Sequence, residues 1–345
     1  MPTPTFITPA TEADWLALRA QDITSTEIPA LFGCSPYETA YALWQRKRGA
    51  LQRTIEETER MKWGKRLEPA IAAGFAEDRR LTIAPMKAYA RHATVPRMGA
   101  SFDYSIEAGE NLDPAAGKGI LEIKNVDARV AREQWETIRP DAATDDSEDA
   151  GDLGEAPLHI ELQLQHQLEV ADREFGYIVA LVGGNTPLVL YRERDRALGA
   201  EICRRVTEFW ASIAADEAPA PDFRADAETI ARLHGYAEPG KVADWRIEAP
   251  DGALDLLAEY ERLGNVAKET AEARDAVKAE LLTMVGDAEK VTTALGNLTL
   301  GMVGEARVEY VRKPFRMFRF TAKKVKEAPV AVAAVGDSAA DAAKE

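Results

Sequence analysis

Two kinds of patterned segment alternate along the first part of the chain. Amphipathic stretches, in which apolar residues recur every three or four positions, predict helices. Short apolar stretches bounded by Gly and Pro predict strands. The strand-like stretches are LTIAPMKAYA, MGASFDYSIEA, GKGILEIKNV, FGYIVALVGGN and TPLVLYRER. Helical stretches precede, separate and follow them, so the sequence predicts an α/β core.

One strand-like stretch, GILEIKNV, carries a charged pair inside an apolar run. Glu122 and Lys124 are two residues apart, and such residues point to the same face of a strand. Upstream, the stretch SFDYS contains Asp103, which lies beside Glu122 if the two strands form a hairpin. Carboxylates and a backbone carbonyl suit Mg²⁺, and a lysine beside them can offset negative charge. Taken alone, this spacing favours a surface ion pair over a catalytic site.

The charge of the chain is unevenly distributed. The net charge is −15, which argues against a nucleic-acid partner because phosphate binding normally needs a basic surface. Residues 1–140 nevertheless carry 19 acids and 19 bases, whereas residues 141–155 carry 7 acids and no base. A local basic groove is therefore compatible with the first part of the chain. We expect the acidic segment 141–155 to be a loop, which would point away from any nucleic-acid partner or gate access to it.

Composition also limits the compartment and the class of metal site. The sequence contains no apolar run of about 18 residues and begins without the charged and apolar regions of a secretory signal. We therefore expect a cytoplasmic protein that does not span a membrane. Its two cysteines, Cys34 and Cys203, are too few to form a zinc ribbon or to hold an iron–sulfur cluster alone.

The stretch EAPAPDF is the best linker candidate in the chain. It predicts a first domain of residues 1–222 and an extension of residues 223–325. Within the extension, apolar positions at alternating spacings of four and three predict a long helix or helical hairpin. VTTALGNLTLGMV and ARVEYVRKPFRMFRF predict a β-hairpin or small sheet. The Ala-rich end, residues 326–345, predicts a disordered tail.

Two local patterns give further structural predictions. In SPYETAYALWQRKRG, Ser35 is suited to cap a helix whose first residue is Pro36. We also expect Trp15, Trp44 and Trp63 to lie in the core, because large aromatic side chains bury extensive apolar surface.

Several separated motifs resemble those of one nuclease family. The motifs, in chain order, are WLALRAQDITSTEI, WGKRLEP, SFD, LEIK and ELQLQHQLEV. Together they resemble the phage-type alkaline exonucleases of the PD-(D/E)XK superfamily, which include lambda exonuclease and the YqaJ-like viral recombinases. The resemblance covers roughly residues 12–215. It implies a restriction-endonuclease-like α/β core with a mixed central sheet flanked by helices, here followed by the helical and β-hairpin extension.

The resemblance implies a metal site and its catalytic residues. Glu68, Asp103 and Glu122, together with the backbone carbonyl of Ile123, would bind Mg²⁺, for which Mn²⁺ could substitute. Lys124 would help to position the attacking water.

The resemblance also implies a water-positioning glutamine and a DNA-end pocket. Gln163 would act beside the catalytic lysine, while Arg19 and Thr26 would hold the 5′-phosphate of a DNA end. The sequence departs from the family at Phe102, which replaces the proline of the signature, and at Ile160, where an aromatic residue is usual. Thr26 stands in place of a serine and retains the hydroxyl group.

Plain structural roles remain open for the same residues. Glu68 could stabilise the first turn of a helix through the helix dipole. Arg19 could pair with a neighbouring aspartate, and Gln163 with Gln167 could form an ordinary polar helix face. A lone His166 on a helix is more often structural than catalytic.

The implied function is Mg²⁺-dependent exonucleolytic resection of double-stranded DNA ends, from 5′ to 3′. The product would enter single-strand annealing recombination of a phage or prophage, with a single-strand annealing protein as partner. The resemblance also suggests a homotrimeric ring around DNA, which the sequence neither shows nor excludes. The alternatives are an endonuclease of the restriction or repair type with the same core, and a catalytically silent scaffold that binds DNA ends.

Overall fold

The computed structural model describes residues 2–51, 57–110, 112–137, 154–312 and 315–320. The chain packs as two compact units, Met1–Leu233 and His234–Glu345. Of the acidic segment 141–155, only Gly154 and Glu155 are described, and the tail predicted to be disordered lies outside the described residues. None of the helices in the described ranges is long and apolar enough to cross a membrane.

The first unit contains helices and strands in the predicted alternating order. Its helices are α1 (Glu12–Gln21), α2 (Ile28–Leu31), α3 (Ala40–Lys47), α4 (Glu59–Asp78), α5 (Ala128–Gln134), α6 (Leu158–Ala171), α7 (Arg196–Ala214) and α8 (Ala227–Leu233). Its strands are β1 (Thr5–Ile7), β2 (Leu81–Pro85), β3 (Tyr89–Arg91), β4 (Gly99–Ala100), β5 (Tyr104–Gly109), β6 (Gly119–Val126), β7 (Glu136–Thr137), β8 (Gly154–Glu155), β9 (Phe175–Val182) and β10 (Thr186–Glu193).

A five-stranded mixed sheet forms the centre of this unit, in the order β10-β9-β6-β5-β2. Strands β6 and β9 are parallel, whereas the other neighbouring pairs are antiparallel. A parallel pair needs a long crossover connection, and the segment that contains α6 supplies it. Helices α4 and α6 pack with apolar residues of the sheet in separate clusters. The predicted mixed sheet flanked by helices is thus confirmed.

Strand β6 divides the core into these two apolar clusters. Ile120 and Val126 pack with residues of α6 and α7, whereas Ile123 packs with residues of α4. Because side chains alternate along a strand, Glu122 and Lys124 share the face of Ile120 and Val126. The central strand therefore presents its acid–lysine pair towards α6.

The prediction that Ser35 caps a helix beginning at Pro36 is wrong. Helix α3 begins at Ala40, with Thr39 as its N-cap. Ser35 does accept hydrogen bonds from the backbone N–H groups two and three residues later, but they close a turn. The hydroxyl of Thr39 donates to Asp226, just before α8, so a distant residue fixes where the helix starts.

The regular secondary structure described for the second unit is one long helix and one β-hairpin. Helix α9 (Ala253–Val285) is followed by the antiparallel strands β11 (Lys290–Thr293) and β12 (Gly296–Thr299). The long helix and the first hairpin agree with the prediction, whereas the described part of ARVEYVRKPFRMFRF forms no strand. The units divide after Leu233, so α8 belongs to the first unit although it follows the predicted boundary at residue 222.

Candidate active site

Asp103 and Glu122 lie side by side at the junction of β5 and β6. The two strands are antiparallel, with Tyr104 opposite Leu121, so the residue before β5 comes next to Glu122. One carboxylate oxygen of Asp103, Oδ2, accepts a hydrogen bond from the backbone N–H of Ile123 at 2.8 Å. The structure therefore brings together the two acids that the hairpin hypothesis requires.

The carboxylate of Glu122 is buried and hydrogen-bonded at both oxygens. Oε1 accepts from Lys124 Nζ and from Gln163 Nε2, the latter at 2.5 Å. Oε2 accepts from Gln167 Nε2 at 2.8 Å. Lys124 Nζ also donates to Gln163 Oε1 at 3.2 Å. Strand β6 and helix α6 together fix the acid, the lysine and the predicted catalytic glutamine in one network.

Glu68 lies in the interior of α4, and the charges of Glu122 and Lys124 act on its carboxyl group. The helix begins at Glu59, so the suggestion that Glu68 stabilises a first helical turn is wrong. Burial and the charge of Glu122 raise the pKa of the Glu68 carboxyl, against the opposing effect of Lys124. The next residue, Pro69, lacks the N–H that would complete the helical hydrogen-bond ladder there.

The electrostatics of the cluster show a shortage of positive charge. Burial and the neighbouring Glu122 raise the pKa of Asp103 well above its usual range. Burial alone would lower the pKa of Lys124, but the charges of Glu122 and Asp103 raise it, so the side chain is an ammonium group at neutral pH. One lysine thus stands among the acids Glu68, Asp103 and Glu122. A divalent cation bound by these oxygens would relieve their repulsion.

Arg19 and Thr26, the predicted end-binding pair, are in direct contact. Arg19 Nη2 donates to Thr26 Oγ1 at 3.0 Å, and Nη1 donates to Ser101 Oγ at 3.3 Å. Trp15 Nε1 donates to the same serine hydroxyl at 2.8 Å, and its ring lies under the Arg19 guanidinium. Ser101 stands two residues before Asp103, so this group of side chains adjoins the acidic cluster along the chain.

The sequence patterns missed the parts played by Ser101 and Gln167. The only local signal for Ser101 is its place two residues before the acid of the SFD motif. Gln163 and Gln167 are buried and bonded to Glu122, so they do not form an ordinary polar helix face. His166 between them is fully buried, and burial lowers its pKa to about 3, so its imidazole is neutral.

The tryptophan predictions succeed only in part. Trp44 is buried, and Trp15 is partly buried beside Arg19 and Ser101. Trp63 is 52% exposed, so its placement in the core is wrong. It lies in the first half of α4, whereas the buried residues of that helix lie in the second half, and Arg66 stacks over its ring.

A second cluster of potential ligands lies between β3, α6 and α7. Atoms of His92, Glu169 and Cys203 all lie within 4.8 Å of one another. His92 Nδ1 accepts the backbone N–H of Val95 at 2.9 Å, so its proton is on Nε2, which faces Glu169. Arg194 also forms an ion pair with the Glu169 carboxylate. Burial and the charge of Glu169 raise the pKa of the Cys203 thiol to about 11. His92 Nε2 and the Cys203 thiol therefore both face the ionised carboxylate of Glu169 as hydrogen-bond donors.

The chain is similar in sequence to one family model and to one bacterial protein. Residues 14–174 match the family model of the YqaJ-like viral recombinase domain. The uncharacterized protein YqaJ of Bacillus subtilis (strain 168) is 26% identical over 272 residues, which are 78% of this chain and 77% of the relative.

Solved structures with related shapes include two exonucleases. The alkaline exonuclease LHK-Exo from Laribacter hongkongensis is 21% identical, with a TM-score of 0.44, and the match covers 64% of this chain and 100% of that chain. A phage related exonuclease from Haemophilus somnus 129PT is 13% identical, with a TM-score of 0.34, and the match covers 61% of this chain and 92% of that one. The family model confirms the predicted resemblance, because residues 14–174 of this chain are similar to the YqaJ-like viral recombinase domain.

Proposed function

We propose that the protein is a Mg²⁺-dependent exonuclease that resects double-stranded DNA ends from 5′ to 3′. The observation that carries the proposal is that two groups of polar side chains meet in one site. The acids and Lys124 around Glu122 form one group, and the Arg19–Thr26 pair forms the other. Ser101 connects them, because it touches Arg19 and lies two residues before Asp103. The match to a viral recombinase domain supports a role in recombination.

Glu68, Asp103, Glu122 and the carbonyl of Ile123 would hold the divalent ion, Mg²⁺ or Mn²⁺. All these donors are oxygens, which is the ligand type that Mg²⁺ prefers. Burial first and the charge of Glu122 second raise the pKa values of Asp103 and Glu68, and the raised values support the assignment because a bound cation would stabilise the ionised forms of these acids. When bound, the ion supplies charge that stabilises the developing phosphorane and makes water nucleophilic near neutral pH.

Lys124 acts in this proposal as a cation and hydrogen-bond donor. Its raised pKa keeps the ammonium protonated, so it does not serve as a general base. Gln163 Oε1 accepts a hydrogen bond from Lys124 Nζ while Gln163 Nε2 donates to Glu122, which fixes the direction of the Lys124 ammonium. A fixed ammonium can orient the attacking water and offset charge on the scissile phosphate.

Arg19 would give the enzyme its requirement for a DNA end. A guanidinium binds phosphate through paired hydrogen bonds, and a terminal 5′-phosphate offers more free oxygens than an internal one. The hydroxyls of Thr26 and Ser101 hold the guanidinium beside the acidic cluster. A terminal phosphate bound there would place the neighbouring phosphodiester near the catalytic acids.

The proposal extends to the partners of the protein. Resection from the 5′ end leaves a single-stranded 3′ tail, which is the substrate of a single-strand annealing protein. A homotrimeric ring would keep the enzyme on its duplex. Helix α9 exposes large apolar residues, including Leu256 and Met284, which would suit a protein contact.

One assay tests the proposed activity. Linear duplex with a 5′-phosphate, the same duplex with a 5′-hydroxyl, and covalently closed circular DNA are each incubated with Mg²⁺ or EDTA. We expect nucleotide release from the linear substrates with Mg²⁺ only, faster from the phosphorylated end. Cutting of the closed circle would instead indicate an endonuclease. Unchanged DNA throughout would indicate a scaffold that binds ends without cutting them.

A further inference from the structure

The side chain of Gln167 joins the two halves of the candidate active site. It is 1% exposed, and its Nε2 donates to Glu122 Oε2 at 2.8 Å and to the Ser101 carbonyl at 3.0 Å. Glu122 belongs to the acidic cluster, whereas the hydroxyl of Ser101 contacts Arg19. One amide group therefore sets the spacing between the proposed metal site and the proposed phosphate pocket.

The chemistry of its two partners requires a donor at this position. A carboxylate oxygen and a carbonyl oxygen both accept hydrogen bonds, so the NH₂ of Gln167 must face them. Its Oε1 is then buried and has no hydrogen-bond partner among the described residues. An unpaired buried acceptor is unfavourable. Simple core packing would avoid it with an apolar side chain, so the two bonds that Nε2 makes are the feature to explain.

Gln167 also completes the fixation of Glu122. Lys124 and Gln163 hold Oε1, and Gln167 holds Oε2 from the next turn of α6. A carboxylate that is bonded at both oxygens cannot rotate freely. Without Gln167, Glu122 Oε2 would lose its hydrogen bond. The direction in which the carboxylate offers this oxygen to a metal ion would then no longer be fixed.

We propose that Gln167 is a positioning residue that couples the end-phosphate pocket to Glu122. A phosphate bound at Arg19 would hold Ser101 in position, because Arg19 contacts the Ser101 hydroxyl. Gln167 bonds to both Ser101 and Glu122, so it would in turn hold the Glu122 carboxylate in position. This inference rests on the proposed function and deepens it. It predicts that a 5′-phosphate raises kcat as well as lowering KM, because the bound end helps to arrange the catalytic acid.

The substitution Gln167→Met removes both hydrogen bonds at similar side-chain volume. Gln165→Met is the matched control, because Gln165 lies on the same helix and is also buried. It too makes two hydrogen bonds, donating to the Glu193 carbonyl and accepting from the Asp195 N–H, but neither touches the candidate site. Both variants are prepared as the full chain, and their thermal stabilities are compared with that of the wild type.

Three measurements separate positioning from packing. We expect Gln167→Met to lower kcat on 5′-phosphorylated duplex about tenfold or more, the usual effect of losing a partner of a metal ligand. The ratio of kcat for phosphorylated over hydroxyl ends should fall towards one, and calorimetry should show weaker Mg²⁺ binding in the absence of DNA. Gln165→Met should keep the wild-type kcat, end ratio and Mg²⁺ affinity even if it melts at a lower temperature.

Several results would overturn the inference. One is a Gln167→Met protein with wild-type kcat, end ratio and Mg²⁺ affinity. Another is equal losses in both variants, which would indicate packing alone. If Gln167→Met does not fold, Gln167→Asn replaces it, since the shorter amide cannot span both acceptors and should show the same changes. A wild type that releases no nucleotide but binds Mg²⁺ more tightly than Gln167→Met would defeat the proposed function while leaving the positioning role intact.

Discussion

Replacing Glu27 with Gln should destabilise the fold strongly at neutral pH. Both partners of its buried ion pair are nearly inaccessible, with 3% of the Glu27 side chain and 1% of the Lys47 side chain exposed. The Glu27 carboxylate lies 2.9 Å from Lys47 Nζ and 2.7 Å from Arg46 Nη2. It also accepts two hydrogen bonds from Thr24, so it anchors the turn that carries Thr26. Removing it leaves a buried ammonium without its counter-charge, which typically costs about 3–5 kcal/mol.

The pKa of Glu27 gives an independent magnitude. Burial alone would raise this pKa, but Lys47 and Arg46 lower it from 4.5 to about 2. The difference, 4.5 − 2, corresponds to about 3 kcal/mol of stabilisation at neutral pH. Burial lowers the pKa of Lys47 despite the same contact. We base the magnitude on Glu27 because two cations share its carboxylate.

The sign of the pH dependence follows from the lowered pKa. A carboxyl with a lower pKa in the folded state stabilises the fold fully above its unfolded pKa of 4.5, and this contribution is lost as the pH falls towards 2. At pH 3, about 2 kcal/mol of it should already be gone.

Urea unfolding of the full chain at pH 7, 5, 4 and 3 measures the effect. The free energy of unfolding should be about 3 kcal/mol lower for Glu27→Gln than for wild type at pH 7 and about 1 kcal/mol lower at pH 3. Glu38→Gln is the control, because Glu38 also binds Arg46 but leaves the Glu27–Lys47 pair in place, so its loss should be smaller. A deficit of Glu27→Gln that is constant between pH 7 and pH 3 would refute this reasoning.

Three further predictions concern the candidate active site. Lys124→Met should bind duplex normally but release nucleotides at least about 100-fold more slowly, measured on end-labelled DNA. Arg19→Ala should lower kcat/KM on 5′-phosphorylated ends about tenfold or more and leave 5′-hydroxyl ends nearly unaffected, measured with matched duplexes. The raised pKa of Asp103 means that its ionised form disfavours the fold above its unfolded pKa, a penalty that disappears in acid. Metal-free Asp103→Asn should therefore melt at a higher temperature than wild type at pH 7, and calorimetry should show stabilisation by Mg²⁺ in the wild type only.

Local sequence patterns suffice where the deciding contacts are near in sequence. Alternation along GILEIKNV places Glu122 and Lys124 on one face, and a short hairpin brings Asp103 beside them. The same logic fails at Ser35, since a serine that closes a turn resembles a serine that caps a helix. Thr39 is the true cap, and it is held by Asp226, 187 residues away in sequence.

The parts of the site that escaped prediction depend on distant contacts. Gln167 reaches Ser101 across 66 residues and Glu122 across 45 residues, and no helix periodicity encodes such bonds. Trp63 was misplaced for a related reason. An aromatic residue on an amphipathic helix looks apolar wherever it lies, and its exposure depends on which half of α4 meets the sheet.

Anomalous diffraction from crystals soaked in Mn²⁺ would test the central claim most directly, because Mn²⁺ accepts the oxygen ligands that suit Mg²⁺. The acidic cluster should give an anomalous peak within coordination distance of the carboxylates of Asp103 and Glu122, and this peak should be absent in Asp103→Asn. A peak at His92 and Cys203 with none beside Asp103 would contradict the assignment of the metal site.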